Sequence, residues 1–187
     1  MNKALTTAVG SLADVAQGSN QSLAETFLGA DAVVICDTSG SMGAHDSRGG
    51  KKRYDVLLEE LEHLQANQPG KLAVIAFSST VQFVPGGQPP YLGGGTDLAG
   101  ALKFSRVADV DGMKFFIISD GTPNDKEEAL AEARKFKGAI SCIYVGPEGG
   151  SGQKFLEKLA QSAGGRFATA EAVRELAATA ERLMLEG

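Results

Sequence analysis

The sequence predicts an α/β fold, a mostly parallel central sheet with helices on both faces. Long apolar runs at 32–37, 71–77, 113–119 and 139–145 read as strands covered on both sides. Most are separated by segments with apolar residues at helical spacing, long enough to cross over between parallel neighbours. The 24 glycines cluster at the borders of these segments, as in Gly93-Gly94-Gly95 and Gly149-Gly150, and so mark loops.

Residues 1–29 form a leader with helical periodicity at Leu5, Val9 and Leu12. Within it Ser22-Leu23-Ala24-Glu25 has the form of a capping box. Residues 30–187 read as one domain. Its first strand, 32–37, is followed by a helix carrying Tyr54, Leu57, Leu58, Leu61 and Leu64, which stops before Pro69-Gly70. Strand 71–77 and the short run 81–84 lie too close together for a crossover helix and form an antiparallel hairpin at a sheet edge. Leu98, Ala101, Leu102 and Phe104 mark a helix capped by Thr96 or Asp97. After strand 113–119 comes a charged helix over about 125–137, with Leu130, Ala133 and Phe136 inward. Strand 139–145 precedes a helix marked by Phe155, Leu156 and Leu159. A short strand, 166–169, and a helix over 171–185 complete the chain.

At 187 residues with 43% hydrophobic composition, the chain has the size for one full core. Its net charge of -5 argues against general nucleic-acid binding, which needs a basic surface. No apolar run reaches the ~18 residues of a membrane span, and polar residues interrupt any secretory signal. The expectation is a cytoplasmic protein with no nucleic-acid or membrane partner. Cys36 and Cys142, both in apolar runs, read as free buried thiols.

The candidate site begins where the first strand ends. Asp37, Ser39 and Ser41 stand at alternate positions, so in an extended segment their oxygens face one way. Such oxygens suit a hard cation, although an ordinary capped turn explains the same residues taken alone. Thr96 ends a glycine-rich loop that opens a helix, and Asp120 ends another strand. In parallel sheets the carboxyl ends of the strands are where ligands bind.

Together Asp37-x-Ser39-x-Ser41, the loop Gly93-Gly94-Gly95-Thr96-Asp97 and Ser119-Asp120-Gly121-x-Pro123 resemble the von Willebrand factor A domain and its metal-ion-dependent adhesion site. The resemblance covers about residues 30–185. It implies a three-layer, Rossmann-like sandwich of about six strands with one antiparallel edge strand. It also implies Mg²⁺, or Mn²⁺ or Ca²⁺ in its place, held by Ser39 and Ser41, with Asp37, Thr96 and Asp120 acting directly or through water. A protein partner's Glu or Asp takes the remaining position. The third loop departs from the family pattern in beginning Ser-Asp where Thr-Asp is common.

The residue chemistry points towards binding rather than catalysis. Hydroxyls are neutral and only two carboxylates contribute, so a dication still attracts an external anion. Two other functions remain open: a Mg²⁺-dependent phosphohydrolase with His45 as base, and an accessory subunit whose metal site serves assembly, for example beside an ATPase. The 146–154 segment fails as a phosphate loop, because Gln153 stands where glycine is needed. Arg48, Lys51, Lys52 and Arg53 either steer an acidic partner or form a solvated basic loop. Met42, beside the site, either touches a partner or packs beneath the loop.

Overall fold

The computed structural model describes residues 7–172; Leu5 and most of the helix expected over 171–185 lie outside them. The described residues contain a six-stranded sheet. Its strands are β1 (Ala32–Asp37), β2 (Leu72–Phe77), β3 (Val81–Phe83), β4 (Lys114–Ser119), β5 (Ile140–Tyr144) and β6 (Gly164–Thr169). The spatial order is β3-β2-β1-β4-β5-β6. Only β3 runs antiparallel, paired to β2 at the edge, as the short spacing between the two runs requires.

The helices are α1 (Leu12–Ser19), α2 (Leu23–Leu28), α3 (Arg53–Asn67), α4 (Leu98–Ser105), α5 (Lys126–Ala133) and α6 (Ser151–Ser162). Strand alternation divides the core in two. Val33, Ile35, Ala73, Ile75, Phe115 and Ile117 face α4, α5 and α6. Val34, Cys36, Val74, Phe116 and Ile118 face α3, whose Val56, Leu57, Leu61 and Leu64 are buried against them. Layering helices on both faces removes the central strands from water, which is why β1 is apolar from Ala32 to Cys36 and β4 from Phe115 to Ile118. Both cysteines are free and buried. Among the described residues no helix is long and apolar enough to cross a membrane.

The described part of the leader packs on the sheet edge. Leu12 joins the core, Gly10 N–H bonds the Asp14 carboxylate at 2.8 Å, and the Gly10 carbonyl accepts from Gly70 N–H at 2.9 Å. The Ser22–Glu25 capping box forms as the spacing predicts, and Phe27 meets Phe83 edge-on at 5.6 Å.

Three expectations change in detail. Val9, expected at helical spacing with Leu12, lies in a turn ahead of α1 and is 75% exposed. The charged helix stops at Ala133, earlier than the expected 137, because Lys137 N–H and Gly138 N–H turn away to the Asp109 carboxylate at 2.7 and 2.9 Å. Phe136 still packs inward, edge-on to Phe115 at 4.8 Å. Phe104, on the apolar side of α4 by sequence, is 44% exposed. It stands at the mouth of an apolar groove of about 560 Å³ between α2 and α4, floored by Val33, Ala73 and Ile75.

Candidate metal centre

The direction of strand succession reverses between β1 and β4; Asp37, Ser39 and Ser41 lie at or just beyond the end of β1, Asp120 just beyond β4, and Thr96 on the loop between β3 and α4. Asp37 is the last residue of β1 and is fully buried. Its Oδ1 accepts from Ser39 N–H at 3.0 Å, and its Oδ2 accepts from Ser119 Oγ at 2.6 Å. Ser119 therefore couples the β1 loop to the β4 loop, and its Oγ also accepts from Gly121 N–H at 2.9 Å. Thr38 points the other way, its hydroxyl donating to the Phe77 carbonyl at 3.0 Å.

The expected alternation holds only through Ser39. Its backbone is extended, but Gly40–Gly43 then forms a 3-10 turn. That turn brings Ser41 back beside Ser39, with the two hydroxyls 3.3 Å apart. Convergence of these oxygens is thus produced by a turn rather than by strand pleating. Met42 is fully buried in the α3-side core, so it packs beneath the loop and is not a partner contact.

The second loop is laced to the first. Gly40 N–H bonds the Gly94 carbonyl at 3.0 Å, and a side chain at Gly40 would press within 3.1 Å of that oxygen. Gly93 and Gly94 adopt positive φ of 67° and 78°, where β-carbons are strained. Thr96, which follows in this loop, is 6% exposed. Its N–H donates to Asn124 Oδ1 at 3.0 Å and its carbonyl accepts from Asn124 N–H at 2.9 Å. Asp97, one of the two expected caps, accepts from Gly100 N–H at 2.9 Å and caps α4. Tyr91 completes the frame, its hydroxyl donating to the Gly40 carbonyl at 3.0 Å while its ring meets Tyr54 edge-on.

Asp120, 2% exposed, has both carboxylate oxygens engaged. Oδ1 accepts from Thr122 N–H and Oγ1 at 3.3 and 2.8 Å. Oδ2 accepts from Arg53 Nη1 at 2.7 Å. Arg53 was readable by sequence only as part of a basic loop. In the structure Arg48 pairs with Glu59 and Glu60, Lys51 with Glu59, and Arg53 with Asp46 and Asp120. These three cations are therefore tied to the protein's own carboxylates and form no free positive patch. His45 is exposed.

Gly152 is a second residue that sequence reasoning missed. A β-carbon there would lie 1.8 Å from the Asp120 carbonyl oxygen, and one at Gly121 would lie 2.2 Å from the Gly152 carbonyl oxygen. Glycine at both positions lets the start of α6 press directly on the Asp120 loop.

Electrostatically the centre lacks positive charge at one point. Burial pushes the Asp37 carboxyl up from 3.8 to about 6, the nearby Asp120 charge adds to the rise, and hydrogen bonds from Ser119 and Ser39 oppose it. Its direct partners are uncharged, so a cation beside it would stabilise the ionised form. The donor set, hydroxyl and carboxylate oxygens with no sulfur or imidazole, fits a hard cation. Among the described residues no three His, Cys, Asp or Glu side chains gather to hold a metal; any cation at this centre relies on serine and threonine hydroxyls.

No family model matches the sequence and no curated protein does. Solved structures resemble it more clearly. An aerotolerance-related membrane protein from Bacteroides fragilis aligns with a TM-score of 0.71 at 13% identity, over 85% of this chain and 100% of that one. The manganese-loaded TRAP protein of Plasmodium vivax aligns with a TM-score of 0.57 at 20% identity, over 79% and 70%. A von Willebrand factor type A structure from Catenulispora acidiphila aligns with a TM-score of 0.57 at 18% identity, over 82% and 42%. With strand order, the antiparallel edge and these likenesses in agreement, the chain has the von Willebrand factor A fold.

Proposed function

We propose that this chain is a non-catalytic interaction module that uses a divalent cation to capture a Glu or Asp side chain of a protein partner. The observation that carries the reading is Asp37, a fully buried carboxylate with only uncharged direct partners, at the strand end beside the paired hydroxyls of Ser39 and Ser41. Burying a charge without a counter-charge is costly, and a cation beside it offsets that cost.

Mg²⁺ is the proposed ion, with Mn²⁺ or Ca²⁺ in its place. Ser39 and Ser41 would hold it directly; Asp37, Thr96 and Asp120 would do so directly or through water. The ion supplies positive charge for an external carboxylate. Ser119, Asn124, Tyr91 and Thr122 hold the ligands and loops in place through the hydrogen bonds described above. Exposed Tyr91, Leu92 and Thr122 around the opening form the proposed contact rim. The manganese carried by one structural neighbour supports a divalent ion on this fold. The proposed module is residues 30–187, preceded by the leader 1–29, and the proposed setting is the cytoplasm, without nucleic-acid or membrane partners.

Affinity capture from the native cell tests the function. Proteins retained by the wild-type chain in Mg²⁺ should be released by chelator and absent from the Ser41→Ala sample. His45→Ala should retain the same proteins as wild type. Retention that ignores chelator contradicts the reading. So does a Mg²⁺-dependent phosphatase activity that His45→Ala removes.

A further inference from the structure

Arg53 is the first residue of α3, where the helix dipole disfavours a cation. Its side chain nevertheless folds back over the strand ends and is only 14% exposed. The chain around it is built to aim it. Arg53 N–H bonds the Ala44 carbonyl at 3.1 Å, closing the intervening loop. Asp46 accepts from Nε and Nη2, both at 2.7 Å. This two-point grip leaves Nη1 directed at Asp120 Oδ2, also at 2.7 Å. An arginine fork suits such a task because its donors are fixed in one plane.

The proposed centre thus has two carboxylates, Asp37 and Asp120, and one of them already shares its charge with a guanidinium. The other Asp120 oxygen is occupied by Thr122.

We propose that Arg53 is a specificity-determining residue of this site: by drawing on the Asp120 charge it keeps a cation beside Ser39, Ser41 and Thr96 under-neutralised, favouring an anionic ligand at the expense of cation affinity. The inference rests on the site being a cation-dependent carboxylate binder. It adds that ligand choice is set by a residue outside the proposed ligand set, through an ion pair that spans the loop and the strand end. A purely structural role for Arg53 would weaken cation binding on its removal. Charge tuning strengthens it, so the sign separates the two.

Mn²⁺ alone, titrated into the full chain and followed by electron paramagnetic resonance, tests the first half. Arg53→Gln should bind Mn²⁺ about tenfold tighter than wild type, the order expected for one charge-assisted hydrogen bond. Lys52→Gln, which removes the same charge from the exposed neighbouring residue, should change affinity by less than about threefold because solvent screens it. Acetate serves as the carboxylate probe for the second half, read by its effect on water-proton relaxation by the Mn²⁺ complex. Its affinity for the Arg53→Gln complex should fall at least about threefold, since the complex is less positive. Arg53→Lys keeps the charge without the fork and should fall between wild type and Arg53→Gln; it carries the test if Arg53→Gln unfolds. Unchanged or weaker Mn²⁺ binding by the variants, or an equal gain in Lys52→Gln, overturns the proposal while leaving the cation site intact. Absence of Mn²⁺ binding in wild type and Arg53→Gln alike overturns the site itself.

Discussion

Replacing Asp37 with asparagine is expected to abolish the response to divalent cations and, in chelator, to stabilise the protein. The two effects share a cause. Folding buries the Asp37 carboxyl completely and lifts its pKa from 3.8 to about 6, chiefly through lost hydration. Between those values the folded state binds a proton that the unfolded state has released. Raising pH through this window therefore removes stability from the cation-free protein, by roughly 3 kcal/mol in all. The loss starts near the lower value and is complete above the upper one. Asparagine keeps an acceptor for Ser39 N–H and carries no charge, so Asp37→Asn should recover about 1–3 kcal/mol at neutral pH. Its urea midpoint should also lack this pH dependence between the two values. An Asp37→Asn protein less stable than wild type in chelator at neutral pH would contradict this account of the buried charge.

Gly152→Ala has the second large expected effect. The added methyl group meets the Asp120 carbonyl oxygen at 1.8 Å and the Gly121 backbone at 2.9 Å. Neither is the movable end of a side chain, so α6 or the Asp120 loop must shift. Overpacking of this kind costs about 1–3 kcal/mol and sometimes more. The outcome to look for is a lower denaturation midpoint together with weaker Mn²⁺ binding, since the displaced loop carries Asp120. Gly149→Ala is the comparison: Gly149 has a positive φ of 75°, which Gly152 does not, but nothing lies within 4 Å of an added β-carbon. It should cost about 1 kcal/mol from backbone strain alone and leave cation affinity unchanged.

Of these two residues, the sequence encodes one openly and hides the other. Asp37 was legible because a buried apolar run ends on it, and burial of that run is written in uninterrupted hydrophobicity. The hairpin of β2 and β3 was legible from connection length, and the α2 cap from the Ser22–Glu25 spacing. Gly152 was not, because its reason is a helix start pressing on a loop that lies 31 positions earlier in the numbering (152 less 121). Arg53 was hidden for the same reason, its partner Asp120 standing 67 residues away. A run of basic residues looks alike whether it faces solvent or its own carboxylates. Ser41 shows a subtler limit. Its place beside Ser39 was expected from strand alternation, yet the 3-10 turn at Gly40–Gly43 produces it, and Met42 is driven into the core by the same turn.

The proposed centre is a divalent-cation site built from these hydroxyls and carboxylates. Thermal unfolding of the chelated wild-type chain, repeated with increasing Mg²⁺ and then Mn²⁺, tests it most directly. If only the folded state binds, a cation at 100 times its Kd should add about 2.7 kcal/mol of stability, seen as a concentration-dependent rise in Tm. The same rise should be missing in Ser39→Ala. A wild-type Tm that does not move with either ion at millimolar concentrations would contradict the claim.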